Sequence, residues 1–137
     1  MVLNSLMNKT SWNDQMNAAR ALGPVRELEL EEFVARLSAV INAEGHESYP
    51  ECPPNWRVMN FSVGPKRAKL TVLREPGDGQ PDQYGSAYCF IDLTNGDILK
   101  AASYKAPAKH PRGNIRLGDW ENFWNGALST YGAAYLR

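Results

Sequence analysis

Lys105, Lys109, His110, Arg112 and Arg116 fall within twelve positions, and Gly113-Asn114 lies between the two arginines. An arginine offers a planar fork to phosphate, and a lysine a point charge. Gly and Asn tolerate positive φ, so successive backbone N–H groups there can converge on an anion. Tyr104 precedes the stretch and Trp120 follows it, with Tyr88 and Trp124 further out. Aromatic faces beside cations suit a nucleobase. The set Tyr104, Lys105, Lys109, His110, Arg112, Asn114, Arg116 and Trp120 therefore reads as a site for a phosphate-bearing small molecule of nucleotide type.

Catalysis has no comparable signature. GxSxG, HExxH, HxE…CxxC, GxGxxG and GxxxxGK[ST] are all missing from the chain. Asp92 and Asp97 stand near a hairpin tip, where aspartates usually serve the turn. His46, Glu47, Glu51 and Cys52 have no metal-ligand spacing. No catalytic residue, metal or cofactor is expected.

Charge is uneven although it sums to zero. Glu27 to Glu51 holds seven acids and one base, Arg36, whereas five bases and no acid lie between Asp97 and Asp119. A neutral total disfavours a general nucleic-acid coat and favours a small anion in a local pocket. The same asymmetry permits a second reading, in which the basic stretch neutralises the acidic helix of its own or a neighbouring copy. A homo-oligomer is expected.

The elements that must position these residues follow from periodicity. Ser11 caps a short helix, Trp12–Leu22, ended by Gly23-Pro24. Leu30, Phe33, Val34, Leu37, Val40 and Ile41 form one stripe on a helix over Glu29–Glu44, stopped at Gly45. Trp56–Val63 and Ala68–Glu75 flank the turn Gly64-Pro65-Lys66-Arg67. Lys66, Arg67 and Lys69 make a second, smaller basic cluster there. Pro76–Gly85 reads as a loop with the makings of a flap. Ser86–Leu93 and Ile98–Lys105 form a second hairpin around Asn95-Gly96, the pair preferred where a type I′ turn needs two positive φ angles. Turn formers from Ala106 to Gly118 predict a loop, and Asp119 then caps a last helix towards Leu128. Tyr131, Tyr135 and Leu136 in the tail argue that it packs as a short strand or coil.

The fold class is α+β: one domain over residues 1–137, its first ten residues frayed. An antiparallel sheet of four to five strands, built from two successive hairpins, is covered on one face by the amphipathic helix. No apolar run approaches the roughly 20 residues of a membrane span. The N-terminus lacks the pattern of a signal peptide, so a cytosolic setting with two free thiols is expected, Cys89 as a small core residue.

The segment AYCFIDLTNGDILKAASYKAPAKHPRGNI resembles a stretch in small, conserved, uncharacterised proteins of tailed bacteriophages. The likeness covers about residues 86–116 and the closing YGAAYLR. It carries no activity across. It implies a phage origin and action in the cytoplasm of the bacterial host or in the virion. The first expectation is a non-enzymatic protein that binds a nucleotide-type ligand, as in sequestering a host defence signal. The second is a virion or host-protein interaction protein whose basic loop is an interface. The third is a single-stranded nucleic-acid binder.

Overall fold

The structure is a computed structural model and describes residues 11–51, 57–74, 87–129 and 132–134. Residues 1–10, Cys52, the Pro76–Gly85 loop and the tail residues Tyr131, Tyr135 and Leu136 lie outside these.

Helix α1 (Trp12–Arg20) begins where predicted, with the Ser11 hydroxyl accepting from the Asp14 amide at 3.1 Å. Gly23, at φ +87°, turns the chain into α2 (Glu27–Ser48). This helix passes through Gly45 to Ser48, beyond the predicted stop. Gly45 is buried, and burial of a helix face overrides its propensity cost of about 1 kcal/mol.

Five strands follow in one antiparallel meander, in spatial order β1-β2-β3-β4-β5. They are β1 (Arg57–Val63), β2 (Arg67–Arg74), β3 (Ala87–Asp92), β4 (Asp97–Ala101) and β5 (Pro107–Asn114). Leu30, Phe33, Val34, Leu37 and Ile41 of α2 pack on Met59, Ala68, Leu70, Cys89, Ile91 and Ile98 of the sheet. The predicted stripe thus meets the predicted sheet face. Cys89 is wholly inside, and burial pushes its thiol well above the usual range.

Three local expectations are corrected. The stretch read as a loop contains β5, the fifth strand. Pro107 and Pro111 are tolerated because β5 pairs only with β4 among the described residues, and the register of that pairing shifts on both sides of Leu99. At the second hairpin only Gly96 has positive φ, +86°. Residues 93–96 form a four-residue loop in which the Asn95 and Gly96 amides both donate to the Asp92 carbonyl. A type I′ turn would need a two-residue loop.

The last helix is also replaced. A 3-10 turn (Trp120–Asn122) leads into α3 (Phe123–Gly126), where Phe123, Trp124 and Asn125 have φ of 53°, 53° and 57°. That turn is left-handed. The Trp124 indole N–H donates to the Ile115 carbonyl at 3.1 Å, and its ring meets Phe33 at 4.6 Å between centroids. Asp119 does cap, but only the short 3-10 turn. A two-strand hairpin, β6 (Leu128–Ser129) and β7 (Gly132–Ala133), closes the described chain. Among the described residues no helix is long and apolar enough to cross a membrane.

Candidate functional site

The twelve-position basic stretch does not form one cluster. Its C-terminal part points inward. Asn114 is fully buried, donating to the Asn95 carbonyl at 2.9 Å and to Asp97 at 3.1 Å, while its own oxygen accepts from the Arg116 amide. Asp97, itself buried, also accepts from the Arg20 Nε at 3.0 Å. Arg116 binds Glu29 bidentately, at 2.7 and 2.9 Å, and reaches the Gly23 and Pro24 carbonyls. For Arg116, the pairing with the acidic helix is the one realised, and within one chain.

The Arg116 guanidinium holds the Glu29 carboxyl below its ordinary range, and Glu29 in turn raises Arg116. A carboxylate with a lowered folded-state pKa adds stability above its unfolded pKa. That stability is lost as pH falls through the folded value. Glu29→Gln should therefore cost roughly 1–2 kcal/mol near neutral pH, below a fully buried pair because the carboxylate is partly exposed. The gap to the parent should shrink as pH falls below about 4, read by denaturant unfolding across a pH series. A gap independent of pH would contradict the ionic role.

The N-terminal part of the stretch points elsewhere. Residues 102–106 bend back over the sheet, with the Ala102 and Ser103 amides donating to the Ala106 carbonyl. This lays Tyr104 against β2. The Lys69 ammonium sits 3.8 Å from the Tyr104 ring centroid and donates to the Tyr104 carbonyl at 3.4 Å. Beside it opens a groove of about 480 Å³ lined by Lys66, Arg67, Lys69, Lys105, Phe90 and the Ser62–Pro65 turn. Strand alternation explains the placement: Ala68 and Leu70 are fully buried towards α2, so Arg67 and Lys69 face away. Among the described residues no carboxylate pairs with Lys66, Arg67, Lys69 or Lys105. The nearest acid in register is Asp92, opposite Arg67, whose Oδ1 accepts from the Thr94 amide and hydroxyl.

The other predicted site residues lie outside this groove. Lys109 and His110 are exposed on β5. The Arg112 Nε donates to the Ala134 carbonyl at 2.8 Å, and its Nη1 to the His110 carbonyl, so this arginine ties β5 to the tail. Trp120 lies against α2 with the Arg36 guanidinium 5.7 Å over its ring. Lys66, Arg67 and Lys69 were visible in the sequence as a minor cluster. What the sequence did not carry was the pairing that brings Lys105 and Tyr104 to them. Among the described residues, no three His, Cys, Asp or Glu side chains converge as a metal site requires.

The class is set by these features: a five-stranded antiparallel meander crossed by one long helix, with a basic groove on the other face. A family described as a family of unknown function, DUF7717, matches residues 13–128, and the chain belongs to it. No curated protein and no solved structure matches the chain.

Proposed function

We propose that this is a non-enzymatic phage protein that holds a phosphate-bearing small ligand of nucleotide type in the groove between the β1–β2 turn and Lys105. It acts in the cytoplasm of the bacterial host, where sequestering a defence signal is the role that suits a binder without catalytic machinery. One observation carries the reading: Lys66, Arg67, Lys69 and Lys105 surround one groove of about 480 Å³ and have no carboxylate partner among the described residues. That volume lies within the range of small-molecule sites, roughly 300–1,000 Å³. The Tyr104 ring, half exposed, offers a stacking surface beside the cations. The phage setting rests on the sequence resemblance alone.

Nucleotides, cyclic dinucleotides among them, should raise the melting temperature of the protein. A ligand at about 100 times its Kd adds roughly 2.7 kcal/mol. Lys66→Glu with Lys105→Glu should abolish that rise and leave the unliganded melting temperature nearly unchanged, since both side chains are exposed. No shift with any nucleotide at about millimolar concentration would sink the proposal. Steep salt-dependent binding to an oligonucleotide would replace the small ligand by a single strand.

A further inference from the structure

A second groove lies on the helical side of the sheet and has the opposite charge. It runs between the C-terminal half of α2 and the Trp120–Phe123 turn, with a volume of about 480 Å³. Val40, Ala43, Trp120 and Phe123 make its apolar floor. Val40 belongs to the helix's apolar stripe, yet it is only half-buried, as are Trp120 and Phe123. The stripe is therefore wider than the sheet it covers. Glu44, Glu47 and Glu121 stand around the floor. Among the described residues no ion pair engages Glu47 or Glu121.

The chain carries the complement on β5. Lys109 and His110 are exposed there, and neither lines the acidic groove of its own chain. Pro107 and Pro111 remove backbone donors from this edge, which disfavours extension of the sheet by another strand. Recognition of β5 must then run through side chains. A lysine stem can lie along an apolar floor while its ammonium reaches a carboxylate rim.

We infer that the α2–Trp120 groove is the seat of a second copy of this chain, which enters with the exposed Lys109 of its β5 edge. Charge complementarity selects this occupant. Glu47 and Glu121 on one copy and Lys109 on the next are exposed and opposite in charge, and head-to-tail copies bring them together. The contact joins two different surfaces, so successive copies close into a ring or continue as a filament. It uses none of Lys66, Arg67, Lys69 and Lys105, and stands independently of the phosphate groove.

Sedimentation velocity on the full chain tests this. At about 20 mM salt the protein should sediment as an oligomer, and at about 500 mM as a monomer, because exposed charge pairs are screened. Glu47→Lys with Glu121→Lys should weaken association at least tenfold at low salt, and Lys109→Glu should do the same from the other side. Combining all three changes should restore it. Circular dichroism melts of these exposed-site variants should match the parent, and if the groove variant unfolds, Lys109→Glu still reads out the contact. A parent that is monomeric at low salt overturns the inference, even if it captures a basic peptide. So does association that survives either variant, or a combined variant that stays dissociated. Nucleotide-induced melting shifts should be unaffected by the groove variant, so the two proposals fail separately.

Discussion

Arg116→Leu should destabilise the fold by roughly 3–5 kcal/mol, because it breaks a part-buried ion pair and removes the donor of the Gly23 and Pro24 carbonyls at the same time. Three separate segments end on the Arg116 guanidinium. The Nε and Nη2 take both oxygens of Glu29 in the first turn of α2. Nη1 reaches the Gly23 carbonyl at 2.6 Å, and also those of Ala19 at 3.4 Å and Asn95 at 3.3 Å. Nη2 adds Pro24 at 3.1 Å. These carbonyls belong to the end of α1, the turn after it and the β3–β4 loop; those of Ala19 and Asn95 also accept from the Leu22 amide and the Asn114 side-chain amide, so Arg116 is a second donor there and the donor described for Gly23 and Pro24. The side chain is only 8% exposed, so solvent cannot stand in for the lost fork. Leucine fills part of the space but takes from Glu29 its bidentate partner and from the Gly23 and Pro24 carbonyls their Arg116 donor. For a domain of this length the melting temperature should fall by about 10 °C or more. Arg116→Lys keeps the charge but not the fork, and should recover less than half of the loss. Denaturant unfolding of both variants checks this. A leucine variant within about 1 kcal/mol of the parent would mean that the network is not a structural tie.

That network shows where the sequence was legible. The α2 stripe, the two hairpins and the burial of Cys89 follow from periodicity, and periodicity survives folding because it reflects which face leaves water. The prolines between Ala106 and Gly118 predict a loop, but a proline at a sheet edge sacrifices only a donor that faces solvent. Without knowing which strand is outermost, β5 looks like a loop. The dispersal of the candidate site residues has a related reason. Arg116 and Lys105 are eleven positions apart and identical in charge, yet one points into the α1–α2 junction and the other over the outer face of the sheet. Only register decides between them. Lys69 and Tyr104 are far apart in sequence, and the strand pairing that joins them is a non-local fact. The second reading of the charge asymmetry, basic stretch against acidic helix, is realised for Arg116 and Glu29 and not for the exposed Lys109.

Gly118→Ala should cost roughly 2–4 kcal/mol, from strain that has no outlet. Gly118 has φ +100°, a conformation an alanine rarely adopts, and this alone costs about 1 kcal/mol. A Cβ there would also lie 2.8 Å from the Trp124 carbonyl carbon and 3.1 Å from its Cα. Those are backbone atoms and cannot swing aside. They belong to the left-handed turn Phe123–Asn125, in which each residue already costs about 1–2 kcal/mol. The turn is held in place by the Trp124–Ile115 hydrogen bond, the Phe33–Trp124 ring contact and the Asp119 carbonyl, which accepts from the Trp124 amide at 2.8 Å. Moving Trp124 to admit a methyl group would loosen all three at once. Gly23→Ala is the control, because Gly23 has a similar φ of +87° but no atom within 4 Å of the added Cβ. It should lose only the conformational cost, about 1 kcal/mol. The difference between the two variants in denaturant unfolding isolates the clash with Trp124. Near-ultraviolet circular dichroism should change for Gly118→Ala and not for Gly23→Ala, since only the former displaces a packed indole. Equal losses would show that the left-handed turn yields, and that Trp124 is not fixed by the contacts around it.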